Sequence, residues 1–363
     1  MTDEQAGGQS EPLSTTHRIY AGDARELGEV GKHSGDLGVP SPPYPMIEMW
    51  DELFTELSPA VGEHLAANDG AAAFDAMHGV LEAVWDELAR VVSPGGIVCI
   101  NVGDATRTVG GQFRVYPNHA RITEAFEGRG FDPLPDILWH KPANSAAKFM
   151  GSGMLPPSAY VTLEHEYILV FRKEPRREFE PGADRRYEAA YFWEERNRWF
   201  TDLWTDIRGR LQDLPDDELR DRAAAFPFEI PYRLCSMYSV YGDTVLDPFW
   251  GTGTTTLAAM AAGRNSIGYE RERSFLDHFE EQVPDIPEIS RSVAERRIDN
   301  HRQFIDEQTE EGTTPDYEAE HYEFPVMTSQ EQRIRLYVVD SVSDRQDGYE
   351  LTYVPAEETL ADQ

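Results

Sequence analysis

Two short segments carry residue types that a chemical reaction could use. Residues 246–255 read Leu-Asp-Pro-Phe-Trp-Gly-Thr-Gly-Thr-Thr, the pattern of a buried strand turning into a helix. Such a turn leaves backbone N–H groups unpaired at the helix start, and its glycines let a ligand approach the backbone closely. Much earlier, residues 39–45 read Val-Pro-Ser-Pro-Pro-Tyr-Pro. There Ser41 and the Pro42 carbonyl offer two acceptors, the prolines hold them stiffly, and Tyr44 offers an aromatic face. The first segment points to a cofactor and the second to the group on which the cofactor is used.

Other cofactor turns fit poorly. A phosphate loop requires Gly-Lys-Ser/Thr after its glycines, where Thr254-Thr255-Thr256 stands. A dinucleotide fingerprint requires a third glycine three residues after Gly253, where the chain has Thr256.

The two segments resemble those of the DNA amino-methyltransferases, in the circularly permuted order of the family's beta class, with the catalytic element first. The resemblance implies S-adenosyl-L-methionine as cofactor, held by Asp247, Pro248, Phe249, Gly251, Gly253, Thr254 and Thr255. It implies further that Glu270 accepts hydrogen bonds from the ribose hydroxyls and that Asp23 lies near the adenine. Phe226 and Pro227, within residues 223–234, would close over the cofactor. Ser41, Pro42, Pro43 and Tyr44 become the element that receives a base extruded from duplex DNA. Residues 88–104, 137–144 and 166–171 are also similar to family segments, so the likeness spans 17–283. Pro40, where the family more often has Thr or Val, is a departure.

The exocyclic amine of a base is conjugated with its ring and is a poor nucleophile. Acceptors that hold its hydrogens make the nitrogen more tetrahedral, and Ser41 Oγ and the Pro42 carbonyl suit that role. Methylation of a cytosine ring carbon would need a cysteine nucleophile in a Pro-Cys pair. Cys99 follows Val98 and Cys235 follows Leu234, which argues against it. In the family these segments resemble, Ser at this position mostly accompanies cytosine and Asp or Asn adenine, so the resemblance implies the N4 amine of cytosine, with the N6 amine of adenine as the alternative. A DNA-binding relative that has lost catalysis is a third reading.

Composition sets the surroundings. The 363 residues carry a formal charge of -33, and only Lys32, Lys141, Lys148 and Lys173 among the 33 cationic residues are lysine. A carboxylate-rich, lysine-poor surface suits a salt-accumulating microbe, such as a halophilic archaeon, because high ionic strength screens the self-repulsion. The plainer alternative is an acidic protein with a solvating tail, and residues 281–363 do carry 21 acidic residues against 7 Arg. Residues 102–210, by contrast, hold 16 of each sign. Within that stretch, arginines interleave with aromatics over 174–210, which marks an expected DNA-recognition region. Arg185, Arg186, Arg196 and Arg198 are its candidate readers, with Lys141 and Asn144 beside the base. Two isolated cysteines argue against disulfides or a zinc site, and no run of about 18 apolar residues occurs. The expectation is a cytoplasmic monomer or homodimer that needs no metal, acts on double-stranded DNA and stays off membranes, with a cognate restriction endonuclease as a possible partner.

The elements that must position these residues alternate strand with helix. Short strands are expected at 18–20 and 36–39, with a weakly helical stretch to Lys32 between them. Apolar residues at three- and four-residue spacing over 74–91 mark a helix, and the continuously apolar run 97–102 a buried parallel strand. A helix at 119–129, strands at 136–140 and 167–172, a helix at 230–241, a strand at 244–247, a helix at 254–262 and a strand at 266–269 follow. The fold class is α/β, a doubly wound, mostly parallel sheet of Rossmann-like methyltransferase type. Residues 1–16 are expected to be disordered, 17–283 to form the methyltransferase domain, and 284–363 an acidic extension with a hairpin from 333–339 and 349–354.

Overall fold

The computed structural model describes residues 12–141, 150–208, 226–313 and 315–360. Ten strands form one sheet: β1 (Ser14–Ala21), β2 (Gly35–Gly38), β3 (Val92–Val102), β4 (Phe131–His140), β5 (His165–Lys173), β6 (Leu203–Trp204), β7 (Thr244–Asp247), β8 (Asn265–Glu270), β9 (Tyr337–Arg345) and β10 (Gly348–Pro355). Their spatial order is β6-β4-β5-β3-β2-β7-β8-β1-β10-β9. From β3 to β1 the strands are parallel, and β5 runs against both β3 and β4. One end of the sheet therefore gathers the carboxyl ends of β1, β8, β7, β2, β3 and β4 together with the start of β5.

The pairing of β2 with β7 matters most for function. Leu37 lies opposite Val245 and Gly38 opposite Leu246, and Val39 N–H donates to the Leu246 carbonyl at 2.9 Å. Two segments far apart in the chain thus leave the sheet side by side. The crossovers from β2 to β3 and from β7 to β8 depart in opposite directions, and ligands of open α/β sheets sit at such a reversal, outside the carboxyl ends of the strands.

Both faces are covered, which is why β3 reads as a continuous apolar run. Val98, Ile100 and Val102 face helix α1 (Gly70–Val91), which buries Met77, Leu81, Val84, Trp85 and Leu88. The Asp69 side chain caps α1 by accepting from Ala72 N–H at 3.0 Å. Cys99, one residue out of phase, joins Leu37 and Val245 under α2 (Glu229–Tyr238) and α3 (Thr254–Ala261). Each fully buried Leu, Val or Met contributes about 1.5–3 kcal/mol relative to exposure. Both cysteines are free and buried, and burial raises their thiols, Cys235 to about 12.

Three expectations need correction. β1 begins at Ser14, so residues 14–16 are strand, because Ser14–Thr16 pair with Glu350–Thr352 of β10. The stretch from Ala24 to Lys32 forms turns, which suits its glycines at positions 28 and 31. The acidic C-terminal segment also enters the fold. Its helix α4 (Ile286–Glu310) buries Val293, Ile298 and Ile305, and the β9–β10 hairpin, offset from the expected 333–339 strand, extends the sheet beyond β1. Among the described residues no helix is long and apolar enough to cross a membrane.

Candidate active site

A cavity of about 400 Å³ opens at the carboxyl end of the sheet. Ser41, Pro42, Pro43 and Tyr44 line one part and Asp247 to Thr252, Thr254, Thr255 and Glu270 another; Asp23 and Phe226 complete the polar and aromatic rim. Its apolar wall comes from Trp50, Leu53, Phe54 and Leu57 and from Val80, Leu81 and Val84 of α1. The volume lies in the range of small-molecule sites.

On the β7 side the chain turns through Gly251 and Gly253 into α3. Gly251 has φ +53°, and a Cβ there would meet nothing closer than 3.9 Å, so the backbone faces open space that a ligand can fill. Gly253, at φ +78°, plays a different part, since its Cβ would come within 2.4 Å of the Phe279 ring and it is absent from the cavity wall. Asp247 is buried, and burial pushes its carboxyl up to about 7, against which the Thr255 hydroxyl and the Phe249 N–H favour the charged form. Phe249 N–H donates to Asp247 Oδ1 at 3.0 Å.

Glu270 accepts from Gly251 N–H at 2.7 Å and from Glu272 N–H at 2.8 Å. Burial raises its carboxyl also, with those N–H groups opposing the shift. Asp23, just beyond β1, binds Arg25 through both oxygens at 2.8–3.0 Å, which holds its carboxyl below the usual range. Pro227 lies off the cavity wall, and its carbonyl accepts from Ile230 N–H at the start of α2. The residues present suit S-adenosyl-L-methionine: a buried and a part-buried carboxyl, an open glycine backbone and an apolar wall converge on one cavity.

On the β2 side a network unforeseen from the sequence fixes Tyr44. Its hydroxyl donates to Glu166 Oε2 at 2.9 Å and accepts from Asn101 Nδ2 at 2.7 Å. Asn101 Nδ2 also donates to Glu166 Oε2 at 2.8 Å, and Lys141 Nζ to Glu166 Oε1 at 2.8 Å. Burial and the Glu166 carboxylate hold the Tyr44 phenol well above its ordinary value, so it stays protonated. Ser41 Oγ lies 3.4 Å from the Tyr44 oxygen. Since the one phenolic proton goes to Glu166, Ser41 can only donate to Tyr44, which leaves the Ser41 lone pairs free to accept. Asn101 Oδ1 is buried with no partner among the described residues, a cost offset by the two bonds its amide donates. Asn101 and Glu166 lie in segments legible as β3 and β5, but their meeting follows from strand pairing: Asn101 faces Ile168 across the ladder.

Glu166→Ala is expected to lower kcat by about 10- to 100-fold with cofactor affinity unchanged, since a hydrogen bond to a charged group contributes about 1.5–3 kcal/mol. Paired methyl-transfer kinetics and calorimetry test this; unaltered kcat would remove Glu166 from the positioning network.

Of the expected DNA readers, Arg185 and Arg186 are not brought to this end, whereas Arg198 binds Asp206 just past the carboxyl end of β6, which runs parallel to β4. Arg177 binds Asp243, ahead of β7, through both oxygens at 2.7 and 2.9 Å. Arg177 and Arg186 both sit over the Phe179 ring, and Arg185 lies against Gly242. Arg185 and Arg186 therefore stand at the amino ends of the parallel strands, opposite Ser41. Arg196 packs over Phe200 and shares a surface groove with Arg186 and Asp36, and Arg198 is paired with Asp206 at 2.7 Å. Phe192, Trp199 and Trp204 are core residues, as is Trp139. Lys141 does reach the site, through Glu166; Asn144 lies outside the described residues.

Comparisons with known proteins agree with this geometry. The profile of the N6/N4 methyltransferase family, described as DNA methylase, matches residues 36–281. The type II methyltransferase M.MthZI of Methanothermobacter thermautotrophicus is 52% identical over 90% of this chain and 91% of its own length. M.MjaI of Methanocaldococcus jannaschii, another type II methyltransferase, is 49% identical over 75% of this chain and 92% of its own. A DNA modification methylase from Thermus thermophilus, solved with S-adenosyl-L-methionine, superposes with a TM-score of 0.58 at 32% identity, covering 75% of this chain and 94% of that one. The chain belongs to the DNA methylase family and is a site-specific, S-adenosyl-L-methionine-dependent DNA methyltransferase.

Proposed function

We propose that the enzyme methylates the N4 amine of cytosine, extruded from duplex DNA at a short recognition site, and that it is of the permuted beta class. The observation that carries the choice of base is Ser41. Its hydroxyl, with lone pairs left free by the Tyr44 network, is a neutral acceptor at the position where the family mostly has Ser for cytosine and Asp or Asn for adenine, with exceptions in both directions.

S-adenosyl-L-methionine supplies an electrophilic methyl group when bound. The chain's own residues do the rest. Ser41 Oγ and the Pro42 carbonyl accept hydrogen bonds from the two amine hydrogens and direct the nitrogen lone pair into the cavity; as the methyl group arrives one of those protons leaves to solvent and the other stays on the nitrogen. Tyr44, held by Asn101 and Glu166, offers its ring to the base. Asp247 and Glu270 hold the cofactor's cationic and hydroxyl groups, and Gly251 allows its close approach.

Nucleoside mass spectrometry of DNA methylated by the enzyme tests the base: N4-methylcytosine is expected, and N6-methyladenine without it overturns the choice. Site choice is expected to survive Arg185→Ala and Arg186→Ala, given where those residues stand. Methylation-sensitive sequencing that showed a relaxed site in either variant would contradict that placement. A cognate restriction endonuclease, function in molar salt and action as a monomer or homodimer in the cytoplasm belong to the same proposal. The name type II carried by the relatives supports the first.

A further inference from the structure

Large apolar side chains that reach solvent cluster beside the active site. Met154 is 83% exposed, Leu155 70%, Val161 82% and Tyr160 45%, with Val115 at 43%. They belong to two hairpins. The first, Ala105–Val109 with Gln112–Tyr116, follows the carboxyl end of β3. Its Arg107 binds Asp51 through both oxygens at 2.6–2.7 Å, on the short helix Asp51–Leu57 that walls the cavity. The second pairs Met150–Gly151 with Ala159–Tyr160 and rises between the end of β4 and the start of β5, where Lys141 and Glu166 stand. The Phe113 and Tyr160 rings stack at 4.8 Å and lock the two together.

The charge pattern singles out the second hairpin. Residues 150–163, Met-Gly-Ser-Gly-Met-Leu-Pro-Pro-Ser-Ala-Tyr-Val-Thr-Leu, hold no charged side chain, in a chain that is 27% charged and carries -33. A carboxylate-coated surface repels phosphates, so a narrow, charge-free projection at the mouth of the base site is where a duplex can approach. Apolar side chains presented this way can enter the base stack.

We propose that Met154 and Leu155, at the hairpin tip, insert into the duplex and occupy the space left by the base that turns into the Ser41–Tyr44 pocket. The Phe113–Tyr160 stack braces the wedge. Extrusion leaves a hole in the helix, and filling it with apolar atoms shifts the base toward the flipped state. This rests on the reading of the enzyme as one that acts on an extruded base.

The test uses the full-length enzyme and the site that it methylates in sequenced DNA. Two substrates are compared: the matched duplex, and the same duplex with the target base opposite an abasic position, where extrusion is already easy. For Met154→Gly combined with Leu155→Gly, kcat/KM on the matched duplex is expected to fall about 100-fold, while on the abasic duplex it stays within about threefold of the wild type. Cofactor affinity should be unchanged, and Met154→Leu combined with Leu155→Met should retain activity on both duplexes. Equal activity of the glycine variant on the matched duplex, or equal loss on both substrates, overturns the wedge. So does conversion of a wild-type dimer to a monomer by these changes in light scattering, which would assign the tip to a second copy of the chain. If the wild type transfers no methyl group to any duplex, the underlying functional reading fails instead.

Discussion

Asp247→Ala is expected to weaken binding of S-adenosyl-L-methionine by about 100-fold or more, because loss of a buried charge-assisted contact removes about 3 kcal/mol. The fold should survive. Asp247 is buried with its carboxyl raised to about 7, so in the free enzyme it is a strained group whose removal does not destabilise. The sign follows from linkage: the folded state binds the proton more tightly than the unfolded chain, so stability from this group is greatest below the unfolded value and is lost as pH rises toward about 7. A cationic ligand reverses that, since it binds the ionised form. The rise in melting temperature produced by the cofactor should therefore be larger at pH 8 than at pH 6. Gly251→Val should have a similar effect on binding for another reason, as it puts a β-branched residue at φ +53° and fills the open space in front of the turn. Retained cofactor affinity in calorimetry for both variants would refute the site.

Folding should collapse at low salt. The chain carries 66 acidic and 33 basic residues, and the Debye length shrinks from about 10 Å at 0.1 M salt to about 3 Å at 1 M. The acidity is not confined to a tail. Residues 281–363 account for -14, which leaves -19 on the first 280, and much of the C-terminal segment is built into the sheet and α4. Many arginines sit in surface ion pairs, such as Arg129 with Glu82 and Asp86, which contribute little each. The melting temperature is expected to rise by more than about 10 °C between 0.1 and 2 M potassium chloride. A flat dependence would remove the halophilic reading and restore that of an ordinary acidic protein.

Much of the site was legible because short turns carry it. The Ser-Pro-Pro-Tyr and glycine turns place their own side chains through local geometry and mark where the short strands feeding them stop, and the neighbouring β3 is marked by an apolar run. What stayed hidden depends on pairing between distant strands. Thr15 is strand only because β10 lies beside it, and Asn101 and Glu166 meet at Tyr44 only because β5 runs against β3. Where the arginine-rich stretch sits was hidden for the same reason. Arginine beside aromatics looks alike whether it reads DNA or stacks on the protein's own rings, as Arg186 does on Phe179, and only the direction of β5 sends the chain to the far end of the sheet.

The most direct measurement supplies the enzyme with S-adenosyl-L-methionine labelled in its methyl group and with unmethylated duplex DNA, then resolves the nucleosides. Label should appear in a base methylated on its exocyclic amine, and saturate at a fixed number per copy of one short sequence. Ser41→Ala and Asp247→Ala should each abolish it. Label in 5-methylcytosine, or none in DNA from the wild type in molar salt, would contradict the assignment of this cavity to amine methylation.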